Sequence, residues 1–525
     1  GTASGRVSFR FNWSSTGLAE LDDVALTPAT EMASAGPPVE VTLRAAERIF
    51  EPGAPLAVNA SVRARQGPPQ NVELHMDVYD SRGKLLTSGQ AQCEARSDRP
   101  VSVTIEAAEA EIPIREHLRA HVTTLPASAL AQEFGMVVIP RPTDFSLDET
   151  SPFAILVGHS YTKRWLGARW ERPNFNWNER EMELAKRYGV IYVGMINQAN
   201  QALDRRISLE EYGAFVEESV AKFKHLVKYW QLGNEPHLYQ PGIPERWAEV
   251  LKVGYEAAKR ADPECQVMWG GITGLNVDPD MVDKLLAAGG GDYTDIIDIH
   301  LYVPIPQMDA LLTKVRADMA KHGVDKPITI TEVTGQLGTP MPERVKASHV
   351  YKRFAVAEAH GVLASWWFVM HWVNTGEFRY CSLIGPGTGE PHEGAAAYAR
   401  FSHALEGAEF ARRIDAGEGM HVYEWAKGDR SIFVAWAEGT GAQGYAQLPC
   451  GTGAGTLVDV AGHEWPVSVG GGLGVDLRDE PLLLDLPSGT GTRRDTDGPA
   501  IEDLSLARGS GTTVRNPVPR GEIRV

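Results

Sequence analysis

The sequence predicts a multidomain protein in which a central (β/α)8 TIM barrel is flanked by N-terminal and C-terminal β-sandwich domains. Three observations lead to this fold class. The chain has 525 residues, which is more than one ordinary domain needs. From about residue 150, eight apolar strands alternate with amphipathic helices, in the number and total length of a TIM barrel. Short strands separated by polar turns occupy the segments on both sides of this region.

The composition is that of a folded soluble protein, with 43% apolar and 23% charged residues. The formal net charge of -17 disfavours nucleic acid or an anionic membrane surface as a partner, because binding to phosphate needs clustered Lys and Arg. A run of about 18 apolar residues is absent from the sequence, so we expect no membrane insertion. The acidic balance fits a neutral substrate better, and the oligomeric state stays open.

The cysteines do not suggest a metal or redox centre. The four of them lie far apart in the chain, and no C-x-x-C spacing occurs. We therefore expect neither a disulfide framework nor a zinc site. A metal or another cofactor is not predicted.

The segments before the barrel have the alternation of apolar and polar residues that is typical of strands. Residues 1–36 are predicted to be the terminal strands of a possible carbohydrate-binding jelly roll, because 19–26 resemble the closing strand of such modules. We expect a structural remnant there rather than a complete binding site. Residues 37–142 show short strands at roughly ten-residue spacing, which predicts an immunoglobulin-like β-sandwich.

The barrel is predicted to span residues 143–404. A doubly wound open sheet is the alternative, but no G-x-G-x-x-G follows the first strand, which weakens it. Strands with Gly-rich turns return over 405–487 and predict a C-terminal β-sandwich. Residues 488–525 are rich in Gly, Ser, Thr, Arg and Asp near their start and are predicted to be a linker or tail.

Two of the predicted barrel strands end in a glutamate. The fourth strand leads to Glu235 and the seventh to Glu332. The active sites of TIM barrels lie at the C-terminal ends of the strands, so these carboxylates can converge on one bond. Glycoside hydrolysis needs such a pair: one group protonates the leaving oxygen, and the other attacks the anomeric carbon or activates water. The distance between them separates the two mechanisms, and the sequence does not supply it.

The barrel resembles the clan of retaining glycoside hydrolases that carry both catalytic glutamates on strands four and seven. The resemblance covers about 250 residues, the usual length of such a barrel. It is carried by Gly233-Asn234-Glu235-Pro236, His300-Leu301-Tyr302, Ile330-Thr331-Glu332 and Ser365-Trp366-Trp367-Phe368. The segment 170–177 is similar to the second-strand region of the xylosidase and iduronidase-like family of that clan, and a cellulase-like family is the other candidate.

The resemblance implies a role for each matching residue. Glu235 is expected to be the general acid/base, with a pKa high enough to hold a proton, and Glu332 the ionised nucleophile. Asn234 is expected to bind the sugar 2-hydroxyl. Trp367, rather than its neighbour Trp366, is expected to form an apolar floor for the sugar ring.

Three further residues are predicted to bind substrate or to support the glutamates. Arg172 or Tyr302 can hold Glu332 ionised by charge or hydrogen bonding. His300 and Tyr302 alternate along one strand and therefore face the same side. Packing in the barrel core is the alternative role for these two.

These expectations combine into a retaining glycoside hydrolase that cleaves β-linkages in a polysaccharide or its oligosaccharides. An exo-acting β-xylosidase or a similar glycosidase is the alternative within this class, and a transglycosylase would use the same residues. A carbohydrate-binding scaffold that has lost catalysis is the alternative from another class. We expect a secreted or extracytoplasmic protein, although residues 1–5 do not have the pattern of a signal peptide.

Overall fold

The computed structural model describes most of the chain. The described residues are 39–43, 48–125, 132–173, 178–236, 244–335, 341–372, 377–385, 389–439, 441–489 and 512–514. The strands predicted within 1–36 lie outside these ranges, as does most of the tail predicted after 487.

The first described domain is a sandwich of two β-sheets. Its strands are β1 Val39–Leu43, β2 Ile49–Phe50, β3 Ala57–Ala64, β4 Gln70–Tyr79, β5 Leu85–Ala95, β6 Val101–Glu106, β7 His117–Leu125 and β8 Gln132–Val138. One sheet has the order β1-β3-β6 and the other the order β2-β8-β7-β4-β5. Alternate residues of β4 are buried, because successive side chains of a strand point to opposite faces.

Eight parallel strands form the barrel wall. They are β9 Phe153–Leu156, β10 Trp170–Arg172, β11 Ile191–Ile196, β12 Tyr229–Leu232, β13 Gln266–Trp269, β14 Ile297–Leu301, β15 Ile328–Val333 and β16 Val362–Trp367. The sheet order runs β13-β12-β11-β10-β9-β16-β15-β14. Parallel bridges from Met268 to Ile296 and from Ile272 to Ile299 link the two edge strands. These bridges bring the ends of the sheet together into a nearly closed barrel.

The helices lie outside this wall. They are α1 Ser160–Trp165, α2 Glu179–Arg187, α3 Gln198–Leu203, α4 Leu209–Phe223, α5 Pro244–Ala261, α6 Met281–Ala287, α7 Ile305–Lys321, α8 Glu343–Ala359 and α9 Glu393–Leu405. Helix α4 shows why such segments begin where they do, since Ser208 and Glu211 cap its first turn reciprocally. Within the described residues, no helix combines the length and the apolar character needed to cross a bilayer.

Large apolar side chains fill the lower part of the barrel interior. The ring of Trp170 lies 4.8 Å from that of Tyr229 and 5.8 Å from that of Trp366, centroid to centroid. Met268 and Ala364 belong to the same buried cluster. This apolar cluster lies below the polar side chains of the site, which are found at the upper, C-terminal end of the barrel interior.

A second sandwich follows the barrel. Its strands are β17 Glu409–Ile414, β18 Met420–Lys427, β19 Arg430–Ala437, β20 Gln443–Leu448, β21 Thr452–Val458, β22 Glu464–Gly470, β23 Leu473–Arg478, β24 Leu482–Pro487 and β25 Thr512–Val514. It packs on α8, where Trp425 donates to Glu358 at 2.7 Å and Lys352 pairs with Asp479 at 2.7 Å. The predicted fold class is confirmed, and the domain boundaries stay predictions.

Candidate active site

Glu235 lies in a strained turn directly after β12. Gly233 has a φ of 81° and Glu235 a φ of 49°, so both occupy the left-handed region. Glycine adopts this region freely, but a residue with a side chain does so at a cost of about 1 kcal/mol or more. Hydrogen bonds hold the turn: Asn234 exchanges two with the side chain of Asn200, at 2.9 and 2.6 Å, and the Glu235 N–H donates to the carbonyl of Gly271 at 3.2 Å.

Glu332 reaches the site because β15 contains an irregularity. Ile299 of β14 pairs with Ile330, but the next residue, His300, pairs with Glu332, so Thr331 is skipped in the register. A bulge of this kind changes the direction of successive side chains. As a result, Thr331 and Glu332 both contact residues of the site, although they are neighbours in the sequence.

Arg172, at the end of β10, joins three of the polar side chains. Its Nη1 donates to Oε1 of Glu332 at 3.0 Å, and its Nε donates to Oε1 of Gln231 at 2.5 Å. Its Nη2 donates to the amide oxygen of Asn234. Only 1% of Arg172 is exposed. A planar guanidinium suits this task, because its donors point in fixed directions.

Glu332 is held in the ionised state. Tyr302 donates its hydroxyl hydrogen to Oε2 of Glu332, and Nδ1 of His300 lies 3.5 Å from the same oxygen. Burial raises the pKa of Glu332. The charges of His300 and Arg172 and the hydrogen bonds from Tyr302 and Arg172 outweigh this effect, so the pKa lies below its usual value. A carboxylate in this state can act as a nucleophile.

Glu235 has different neighbours. Its Oε1 lies 2.8 Å from Nδ1 of His300, and 19% of its side chain is exposed. Burial lowers the pKa of His300, but the charges of Glu332 and Glu235 and the hydrogen bond with Glu235 raise it above its usual value. One oxygen of Glu235 and one of Glu332 lie within 4.8 Å of each other. The two carboxyl groups therefore face one another across a narrow space.

A buried polar layer supports His300 from below. Both oxygens of Asp298 accept hydrogen bonds: from Gln231 at 2.9 Å, from Thr329 at 3.0 Å, and from the hydroxyl and backbone N–H of Thr331 at 2.8 and 3.1 Å. Burial raises the pKa of Asp298 to about 6, against the charge of His300 and these hydrogen bonds. Four donors face its two oxygens, and this arrangement fits an ionised acceptor.

A cation is not favoured between the two glutamates. Glu235, His300 and Glu332 each present a possible ligand atom within 4.8 Å of the others. However, the guanidinium of Arg172 lies 3.0 Å from Glu332, and Tyr302 donates to the other oxygen of that carboxylate. A neighbouring positive charge opposes a bound metal ion. As arranged, these residues fit an organic substrate better.

A second group with metal-type ligands lies between the two sandwiches. Asp80, Glu116 and His463 offer atoms within 4.8 Å of one another. Glu116 already accepts a hydrogen bond from the backbone N–H of Ser81 at 2.9 Å. These contacts join a turn of the first sandwich to the second, and the expectation that the protein needs no metal stays a prediction.

The aromatic residue beside the site differs from the one expected. Trp367 is completely buried and donates its indole N–H to the carbonyl of Cys381 at 2.9 Å, so it offers no face to a sugar. The next residue, Phe368, packs edge-on against Tyr302, with ring centroids 5.7 Å apart. Because a bulge shifts the pairing of β15 and β16, simple alternation along β16 does not identify this residue.

Six of the seven predicted site residues come together at the upper end of the barrel. They are Arg172, Asn234, Glu235, His300, Tyr302 and Glu332. Sequence reasoning did not identify Asn200, Gln231, Asp298, Thr331 or Gly271. Asp298 could have been predicted from the sequence, because it stands two residues before His300 in the same strand and shares its face.

Comparison with known proteins supports the fold. No family model and no curated protein matches the chain. A family 39 glycoside hydrolase from the gut symbiont Bacteroides cellulosilyticus WH2 aligns with a TM-score of 0.63 at 16% identity, covering 85% of this chain and 100% of that one. A family 39 β-xylosidase from Caulobacter crescentus covers 66% of this chain and 98% of its own, at 14% identity and a TM-score of 0.48. A family 30 endoxylanase from Clostridium papyrosolvens C71 covers 66% and 94%, at 13% identity and 0.44. At these identities, the first alignment shows that the two chains share a fold.

Proposed function

We propose that the protein is a retaining glycoside hydrolase that cleaves β-glycosidic bonds of a polysaccharide or its oligosaccharides. One observation carries this proposal: an oxygen of Glu235 and an oxygen of Glu332 lie within 4.8 Å of each other, and the two side chains have different neighbours. Glu332 is surrounded by donors and positive charge, whereas Glu235 contacts His300 and is partly exposed. The shared fold with a family 39 glycoside hydrolase agrees with it.

The first chemical step uses both carboxyl groups. Glu235 gives its proton to the glycosidic oxygen while that oxygen leaves with the electrons of the bond to the anomeric carbon. Glu332 attacks the anomeric carbon from the opposite side and forms a glycosyl ester. The donors from Arg172 and Tyr302 keep Glu332 ionised before the attack.

The second step reverses these roles. Glu235, now a carboxylate, takes a proton from water, and the oxygen of that water attacks the anomeric carbon. The bond to Glu332 breaks, and its electrons return to the carboxylate. Two inversions at one carbon give a product with the anomeric configuration of the substrate.

The spacing favours this mechanism over single displacement. Retaining enzymes separate the two carboxyl groups by about 5–5.5 Å, and inverting enzymes by about 6.5–9.5 Å to admit a water molecule. The nearest oxygens here lie within 4.8 Å. This close approach of two oxygens agrees with the shorter separation of a retaining pair.

Asn234 completes the proposed sugar site. The amide oxygen of Asn234 accepts from Arg172, which directs its NH2 group away from the guanidinium. We assign this NH2 group to the sugar 2-hydroxyl. A secreted or extracytoplasmic location, where polysaccharides occur, belongs to the same proposal.

The proposal is tested by screening the protein on polysaccharides and aryl glycosides and sizing the products. We expect hydrolysis of at least one β-linked substrate and its loss, by about 10⁴-fold or more, in Glu332→Gln. Glu210→Gln, an exposed position in α4, is the matched control and should keep full activity. Carbohydrate binding without hydrolysis would instead support the scaffold alternative.

A further inference from the structure

A chain of hydrogen bonds runs from Asp298 to Glu235 through two other side chains. The hydroxyl of Thr331 lies 2.8 Å from Oδ2 of Asp298 and 3.0 Å from Nε2 of His300. On the other side of the ring, Nδ1 of His300 lies 2.8 Å from Oε1 of Glu235. Each link is short enough to hold a proton in a defined place.

The groups around Asp298 determine which atom donates and which accepts in each of these hydrogen bonds. Arg172 has only donors, so the oxygen of the Gln231 amide must face Arg172 and its NH2 group must face Asp298. The backbone N–H of Thr331 is also a donor to Asp298. An ionised carboxylate that is surrounded by donors accepts from the Thr331 hydroxyl as well.

The direction of the Thr331 hydroxyl determines which ring nitrogen of His300 carries hydrogen. A hydroxyl has one hydrogen, and Thr331 uses it on Asp298. Its oxygen can then only accept from Nε2 of His300. Nε2 is therefore protonated, and Nδ1 is either an acceptor for the carboxyl hydrogen of Glu235 or the donor in an imidazolium.

We propose that Asp298 acts through Thr331 as a positioning residue, which fixes the tautomer of His300 so that one proton is held between His300 and Glu235. The effect on catalysis rests on the proposed function, whereas the tautomer of His300 does not. In both forms of the pair the proton count is the same, with Nε2–H conserved and one proton between Nδ1 and Oε1.

The fixed tautomer of His300 allows Glu235 to hold the proton that it needs as an acid. With Nε2 protonated, the shared proton can pass from Nδ1 to Oε1, which leaves a neutral ring with its lone pair at Nδ1 and Glu235 as a carboxylic acid. The opposite tautomer would place N–H at Nδ1 and favour ionised Glu235, which cannot protonate a leaving oxygen. The other charged or titratable groups around the ring are Arg172, Tyr302 and Glu332.

The backbone of Gly271 lies directly against the His300 ring. A Cβ on Gly271 would lie 2.0 Å from Nε2 of His300, so the ring packs directly on this glycine. The bulge in β15 directs Thr331 toward the ring while Glu332 contacts Arg172. Thr329, two residues earlier in the same strand, donates to the same Asp298 but makes no hydrogen bond to His300 among the described residues, and therefore provides a matched control.

The test is ¹⁵N NMR of protein labelled at its 15 histidines, with the His300 signals assigned by their loss in His300→Gln. In the wild type we expect Nε2 to be protonated at pH 8, well above the pKa of about 6 at which Asp298 loses its proton. A wild-type ring with hydrogen on Nδ1 and none on Nε2 overturns the proposal without any further variant. This measurement needs no substrate, so it stands even if the protein proves not to be a glycosidase.

Three variants then test the route through Thr331. In Thr331→Val the Nε2–H would face a methyl group, so we expect the hydrogen to move to Nδ1. Thr331→Ser and Thr329→Val should both keep the wild-type tautomer. The route is refuted if Thr331→Val also keeps it, or if Thr329→Val changes it equally; Thr331→Ala replaces Thr331→Val if the latter does not fold.

Kinetics on an identified substrate link the tautomer to catalysis. In Thr331→Val, kcat/KM for a substrate with a poor leaving group should fall at least ~10-fold more than for an activated aryl glycoside, because only the former needs an acid. Thr331→Ser should restore most of the difference. Equal losses on both substrates would refute the effect on the acid, and absence of hydrolysis in the wild type would refute the proposed function instead.

Discussion

Arg172 donates from Nη1 to Oε1 of Glu332 at 3.0 Å, although the two residues stand 160 positions apart in the chain. Arg172 ends the second barrel strand and Glu332 lies near the end of the seventh. The contact therefore crosses the barrel and connects opposite parts of its wall. The same guanidinium also holds Gln231 and Asn234, so one side chain positions the proposed nucleophile, the buried polar layer and the turn before Glu235.

Replacing Arg172 by lysine tests this organising role. Lysine keeps the positive charge but lacks the planar fork, so it cannot contact Glu332, Gln231 and Asn234 together. We expect kcat/KM to fall about 10²-fold or more, because misplacement of catalytic groups by about 1 Å costs that much. Arg180→Lys, at an exposed position, is the control. Full activity in Arg172→Lys would show that charge alone suffices.

Tyr302→Phe tests how Glu332 is kept ionised. Tyr302 donates to Glu332, whose pKa lies below its usual value, and removal of the donor should raise that pKa. A hydrogen bond to a charged group is worth about 1.5–3 kcal/mol, which corresponds to about 1–2 pH units. The acidic limb of kcat/KM should therefore move to higher pH, since activity is lost as Glu332 becomes protonated.

The control for this shift is Tyr192→Phe, which removes the hydroxyl of another tyrosine of the barrel wall. Among the described residues the buried Tyr192 oxygen has no hydrogen-bond partner, so its loss should leave the pH profile of kcat/KM unchanged. An acidic limb that stays in place in Tyr302→Phe would show that Arg172 and His300 hold Glu332 ionised without the tyrosine.

Gly271→Ala tests the close approach of the backbone to His300. The new Cβ would lie 2.0 Å from Nε2 and 2.3 Å from Cδ2 of His300, so the ring must shift. We expect kcat/KM to fall by about 10²-fold and the thermal midpoint to decrease. Gly470→Ala, where no described residue lies within 4 Å of the added carbon, should change neither quantity. If kcat/KM and the thermal midpoint are unchanged in Gly271→Ala, the position of the His300 ring is not critical.

Glu358→Gln tests a pH dependence of stability at the interface between α8 and the second sandwich. Glu358 accepts from Trp425 at 2.7 Å, and burial raises its pKa to about 8, against that hydrogen bond. Its ordinary value is 4.5. The folded state thus binds a proton that the unfolded state loses, and its stabilising effect, complete below about pH 4.5, is lost as pH rises toward 8.

The measurement is the free energy of unfolding at pH 5 and at pH 8. Glutamine stays neutral, so the variant should match the wild type at pH 5 and gain relative stability as pH rises, by at most about 1.4 kcal/mol per unit. Glu418→Gln, at an exposed position, should show no such trend. The prediction is contradicted if the free energies of unfolding of Glu358→Gln and the wild type differ by the same amount at both pH values.

The barrel and its glutamates were predictable because they depend on local patterns. Apolar strands buried on both faces alternate with amphipathic helices, and this order specifies a parallel sheet. Glu235 and Glu332 stand at strand ends, where position along the chain alone places them at one edge of the barrel. His300 and Tyr302 share a strand face by simple alternation.

Other features depend on distant contacts or on broken alternation. The bulge that lets Thr331 and Glu332 both reach the site has no signal in a period of two. Asn200, in helix α3, holds the turn before Glu235 through its hydrogen bonds with Asn234. The burial of Trp367, which was expected rather than Trp366 to face the sugar, was not predictable for the same reason, since the register of β15 and β16 shifts.

The configuration of the first-formed product tests the central claim most directly. Time-resolved ¹H NMR of an aryl β-glycoside during hydrolysis records the anomer that is released before the sugar equilibrates in water. Double displacement through Glu332, with Glu235 as acid and base, predicts that the β-anomer appears first. First appearance of the α-anomer would show a single displacement and contradict the assignment of Glu332 as the nucleophile.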